Sequence, residues 1–129
     1  MQKLILVADD DPTILMMVSD VFESYGYRVL RAETGSEAII TALNSRPDLI
    51  ISDINMPSGY GSSLYEKLQQ ESSSKGIPFI FITGVPLHQA KKLITESSKV
   101  VLILKPFDMK TLIDTAQKLL AAGADSPIT

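Results

Sequence analysis

Five short apolar stretches punctuate the chain: Leu4–Ala8, Arg28–Ala32, Leu49–Ser52, Phe79–Thr83 and Val100–Leu104. They are rich in β-branched residues, and several are continuously apolar rather than alternating. Strands read that way when both faces are buried, as in a parallel sheet. The segments between them carry helical spacing instead. Ile14, Val18, Val21 and Tyr25 recur at that spacing. Asp11 is a candidate cap for this helix, Pro12 suits its first turn, and Gly26 stops it. Thr34 and Glu37 form a capping-box pattern ahead of Ala38, Ile39, Ala42 and Leu43. A third helix is expected over about Ser62 to Gln70, with Leu64 and Leu68 inward. A fourth is expected from near Pro86 to about Glu96. In the last, Met109, Leu112, Ile113, Ala116, Leu119 and Leu120 fall on one face.

Strands alternating with helices predict an α/β fold, a parallel sheet covered on both sides by the crossover helices. The pattern supports one domain over residues 1–123. Ser72 to Gly76 reads as a surface loop, and residues 124–129 as a flexible tail or the start of a linker. There is no internal repeat.

Composition narrows the chemistry. A chain of 129 residues buries a core without staples, and it has no cysteine, which removes thiol catalysis, disulfides and zinc–thiolate sites. The net charge is −3 with no Lys/Arg cluster, which argues against direct nucleic-acid binding. No apolar run reaches membrane-spanning length, and the N-terminal apolar stretch is too short for a signal peptide. His88, the single histidine, reads as a surface residue of the fourth helix. Met16, Met17 and Met109 read as core or helix-face residues.

In an open α/β sheet, ligands bind beyond the carboxyl ends of the strands. Those ends carry Asp9, Asp10 and Asp11 after the first strand, Asp53 after the third, Thr83 and Gly84 at the fourth, and Lys105 and Pro106 after the fifth. Each piece has a bland reading: an acidic helix cap, a surface lysine, a structural threonine. Their convergence at one edge, from four different strands, favours chemistry. Carboxylates held together repel one another, and a hard divalent cation such as magnesium relieves the repulsion. A carboxylate also serves as a nucleophile that becomes an aspartyl phosphate, with Thr and Lys left to bind the phosphoryl oxygens.

These residues resemble the receiver domains of two-component response regulators. Leu4-Ile5-Leu6-Val7-Ala8-Asp9-Asp10-Asp11-Pro12 is similar to the family's first strand and acidic cluster. Pro47 through Pro57, with Asp53 inside Ile51-Ser52-Asp53-Ile54-Asn55-Met56-Pro57, is similar to its phosphorylation segment, the most specific of the matches. Phe81-Ile82-Thr83-Gly84 and Leu104-Lys105-Pro106-Phe107 are similar to its switch-hydroxyl and lysine segments. The resemblance spans nearly the whole chain in order. It implies a flavodoxin-like doubly wound fold of five parallel strands ordered 2-1-3-4-5. It implies that Asp53 takes a phosphoryl group from a histidine kinase or phosphotransfer protein, with Thr83 and Lys105 on that group. Asp9, Asp10, Asp53 and the backbone carbonyl of Asn55 would hold Mg2+ (or Mn2+). It further implies a cytoplasmic, non-enzymatic signalling module that acts on a downstream protein or fused output domain, without inserting in a membrane. Gly84 would leave room for phosphate, and Asn55 and Val85 stand where the family tunes phosphate lifetime.

Three features depart from the family pattern. Tyr60 stands in a loop that often carries an aspartate, Leu102 replaces the aromatic three residues before the lysine, and Ser97-Ser98-Lys99 replaces a Gly-Ala turn. A rival reading takes Asp9-Asp10-Asp11-Pro12-Thr13 as the Asp-x-Asp-x-Thr motif of haloacid-dehalogenase-type phosphatases, with Asp9 as nucleophile and Asp11 as acid/base. It leaves the Asp53 segment unexplained and lacks an acidic pair at a later strand end.

Overall fold

The computed structural model describes residues 2–56, 59–60, 66–68 and 76–124. Its main sheet contains β1 (Leu4–Ala8), β2 (Arg28–Ala32), β3 (Leu49–Asp53), β4 (Phe79–Thr83) and β5 (Val100–Leu104). All its pairings are parallel, in the order β2-β1-β3-β4-β5. This is the expected doubly wound order. Four strands have the expected bounds, and β3 runs one residue further, to include Asp53.

Alternation along each strand sends successive side chains to opposite faces. Leu6, Ala8, Ile50, Phe79, Phe81, Val100 and Leu102 build one core with Ala38 and Ala42 of α2 (Gly35–Ser45) and Ala90 of α3 (Leu87–Leu93). Ile5, Val7, Leu49, Ile51, Ile80 and Ile82 build the other with α1 (Pro12–Ser24) and α4 (Met109–Ala124). Every residue of β3 and β4 is buried, which is why both runs are apolar up to their polar carboxyl ends. Leu112, Ile113, Ala116, Leu119 and Leu120 form the buried face of α4 as their spacing predicts, with the partly buried Met109 packed against that core.

Helix starts follow their caps. Asp11 Oδ1 accepts from the Thr13 and Ile14 N–H groups, and Thr34 Oγ1 accepts from Glu37 N–H. Gly26 turns the chain into β2 at φ +94°. The expected fourth helix ends early, at Leu93 rather than Glu96. Ile94 is extended (φ −132°, ψ 128°) and buried at 2% exposure, and Ser97 pairs with Val100 as the chain turns into β5.

Most of the expected third helix lies outside the described residues; Glu66 to Leu68 are helical, with Leu68 buried. Ser72 to Lys75 of the expected loop and 125–129 of the expected tail also lie outside them, while Ala124 still belongs to α4. An antiparallel hairpin of Asn55–Met56 and Gly59–Tyr60 follows β3, too short to leave a pattern in the sequence. Among the described residues, no helix is long and apolar enough to cross a membrane.

Candidate functional site at the carboxyl edge of the sheet

The sheet order puts β3 between β1 and β4, so the last residues of these strands are neighbours. The first residue beyond β1 is Asp9, whose N–H still bonds to Ala32 O at 3.1 Å. That leaves its side chain buried, at 2% exposure, just before the chain turns into α1. The turn itself holds it: Asp11 N–H donates to Asp9 Oδ1 at 2.9 Å. Asp10, between them, is exposed. Asp53 closes β3 with 7% exposure, and Ile54 N–H bonds to Ile82 O beyond it.

Each of Asp9, Asp10 and Asp53 offers a carboxylate oxygen, and the three oxygens lie within 4.8 Å of one another. Lys105 reaches in from the end of β5. Its backbone is tied to Thr83 O at 2.7 Å, and its Nζ donates to Asp53 Oδ2 at 2.9 Å and lies 3.7 Å from Asp9 Oδ2. The Lys105–Pro106 peptide bond is cis.

One ammonium thus faces three carboxylates. Burial pushes the Asp9 carboxyl above its ordinary range; the Asp11 N–H and Lys105 pull it back, while Asp53 and Asp10 push it up further. Burial alone would lower the Lys105 ammonium, but the hydrogen bond and charge of Asp53, with Asp9 and Asp10, outweigh it and raise it. The donor set fits a hard divalent cation: oxygen ligands only, an unbalanced negative charge, and one exposed member, Asp10.

Thr83, fully buried, ends β4 beside this cluster, and its Oγ1 accepts from Val85 N–H at 3.1 Å. Gly84 is exposed, and a Cβ there would meet nothing within 4 Å. Asn55 begins the hairpin just past Asp53, paired with Tyr60. The structure therefore brings together Asp9, Asp10, Asp53 and Lys105 directly, with Thr83 and Asn55 on adjoining backbone. Asp11 stands apart in role, since its Oδ1 is committed to two helix N–H groups. Ser52 adds a contact that nothing in the sequence marks: its buried hydroxyl donates to the Asp53 carbonyl at 2.9 Å. A serine inside an apolar strand run reads simply as strand.

Residues 5–117 match the family model of the response regulator receiver domain. The chain belongs to that family. A curated relative, protein PilH of Pseudomonas aeruginosa, is 30% identical over 117 residues, covering 91% of this chain and 97% of PilH. The chemotaxis response regulator CheY4 of Vibrio cholerae superposes with a TM-score of 0.84 at 31% identity, covering 92% of this chain and 99% of that one. A CheY-like receiver domain protein from Methanospirillum hungatei superposes at 0.88 with 26% identity, covering 98% and 100%. The family is one of signalling modules rather than classical enzymes.

Proposed function

We propose that Asp53 is a phosphoacceptor, receiving its phosphoryl group from a phosphohistidine on a histidine kinase or phosphotransfer protein. A carboxylate oxygen of Asp53 forms the new P–O bond as the donor's P–N bond breaks, and the released imidazole regains a proton. The observation that carries this reading is the position of Asp53: last on β3, nearly buried, 2.9 Å from Lys105 Nζ and clustered with Asp9 and Asp10. Asp9, Asp10 and Asp53, with the Asn55 carbonyl, would hold Mg2+ (or Mn2+), which when bound supplies positive charge to the phosphoryl oxygens. Lys105 neutralises a further oxygen, and the Thr83 hydroxyl donates to another. Residues 1–123 form the receiver unit, cytoplasmic in setting, which passes the signal to a downstream protein or output domain without contacting nucleic acid.

Phosphorylation adds charge where Lys105 and Thr83 meet Asp53, and so biases a two-state surface around α3, β5 and α4. Reversing a 1:99 population requires roughly 5.5 kcal/mol of preference. Leu102 occupies the β5 position of the usual relay aromatic; it is buried, and its N–H donates to Glu96 Oε2 at 3.1 Å. The switch in this chain therefore runs through aliphatic packing.

Intact-mass spectrometry after incubation with acetyl phosphate and Mg2+ tests the assignment. One phosphoryl group is expected on the wild type and none on Asp53→Asn. An unlabelled wild type, beside a control receiver that labels, would overturn it.

A further inference from the structure

At the opposite end of the sheet the strands begin rather than end. There Lys3, Asp48, Pro78 and Lys99 meet Leu119 and Leu120 of α4 around a recess of about 260 Å3. We propose that this recess binds a small organic carboxylate, its charge held between Lys3 and Lys99 and its short apolar body resting on Pro78, Leu119 and Leu120.

The charges point that way. Asp48 lines the same recess and its Oδ2 accepts from Leu4 N–H at 2.8 Å, and the two lysines leave the lining with a positive balance. Among the described residues, no carboxylate lies within salt-bridge distance of Lys3 or Lys99. Surface lysines without an ion-pair partner are common. What separates this pair is that both line one recess, which also has buried leucines in its wall. Lys99 is also held in place: its Nζ donates to Gly76 O at 3.4 Å. Gly76 stands at φ +93°, and a Cβ there would lie 3.7 Å from that ammonium. Lys99 belongs to the Ser97-Ser98-Lys99 segment, where the chain departs from its family and for which phosphoryl chemistry gives no role.

Size sets the ligand class. Pockets for drug-sized molecules begin at roughly 300 Å3. A recess of about 260 Å3 suits a short carboxylic acid. With two ammonium groups beside its single carboxylate, it is a poor cation site.

The full chain, uniformly labelled with 15N, is titrated with sodium hexanoate at constant ionic strength. Acetate (the charge alone) and 1-hexanol (the chain alone) are run in parallel. Saturable amide shifts are expected at Gly76, Lys99, Val100 and Leu120, with acetate and hexanol each about tenfold weaker or more. Lys3→Ala and Lys99→Gln should each weaken hexanoate by about tenfold while leaving the remaining spectrum in place. Lys99→Gln keeps a donor for Gly76 O, so its loss of binding reports charge rather than local structure. Absence of saturation, affinity unchanged in both variants, or shifts confined to Asp53, Thr83 and Lys105 would overturn the proposal. Because these residues lie apart from the acidic edge, either outcome leaves the Asp53 assignment untouched.

Discussion

The hydroxyl of Ser19 is fully buried on α1 with no hydrogen-bond partner among the described residues. A buried polar group left unpaired costs about 1–3 kcal/mol. Ser19→Ala removes that group, and alanine suits a helix interior better. The substitution should stabilise the domain by about 1 kcal/mol and raise the melting temperature by roughly 3–5 °C in calorimetry. An unchanged or lower melting temperature would mean the hydroxyl has a partner after all. Asp9 carries a second residue-scale expectation, in metal-free buffer. Its folded pKa is raised above 3.8, chiefly by burial, so its contribution to stability is full below pH 3.8 and is lost as pH rises through the folded value. Asp9→Asn keeps an oxygen for Asp11 N–H and removes the charge. Its stability gain over wild type in urea denaturation should therefore be near zero around pH 3.8, the ordinary value for an aspartate, and grow toward neutral pH. A gain independent of pH would detach it from ionisation. Neither Ser19 nor the depth of Asp9 was legible in the sequence, because side-chain burial on a helix or past a strand end depends on what the sheet packs against it.

Elements were more legible than residues, for a physical reason. A strand buried on both faces is apolar along most of its length, so β1 and β4 stand out with correct bounds, and the shorter apolar or alternating runs of β2 and β5 sufficed for theirs. Helix starts were legible where a cap residue announces them, as Asp11 and Thr34 do. Helix ends were less so. The end of α3 is set by Ile94, which leaves the helix because the core between α3 and β5 takes its side chain, and no local signal marks that. The cap argument gives a direct test: Asp11→Ala leaves the Thr13 and Ile14 N–H groups without their acceptor. It should lower stability by about 1 kcal/mol, read as a reduced urea midpoint with an unchanged slope. Because Asp11 holds Asp9 through its backbone N–H and not its carboxylate, acetyl-phosphate labelling of Asp53 should persist in this variant. Loss of labelling at full stability would assign the Asp11 carboxylate a part in the chemistry.

At the scale of the whole molecule, the site exists only because the parallel order 2-1-3-4-5 brings together groups distant in sequence. Lys105 and Asp53 are 52 positions apart and hydrogen-bonded at 2.9 Å. That convergence was legible because every strand of a parallel sheet ends at the same edge, so residue type at strand ends suffices to assemble the cluster. The side-chain bond that aims Lys105 at Asp53 rather than at Asp9 was not, since it depends on angstrom-scale placement.

The same assembly makes metal binding a property of the folded state alone. The unfolded chain keeps Asp9 and Asp10 together but loses Asp53, so a divalent cation should stabilise the fold by mass action. At a free concentration 100-fold above the dissociation constant, the gain is about 2.7 kcal/mol. Mg2+ should therefore raise the melting temperature of the wild type in a concentration-dependent way, and EDTA should reverse it. Asp10→Asn, at the exposed member of the cluster, should abolish most of the increment while changing the metal-free melting temperature little. Sodium chloride at matched ionic strength controls for screening, which acts on all surface charges alike. An equal increment in wild type and Asp10→Asn, matched by sodium chloride, would show that the three carboxylates do not act as a site.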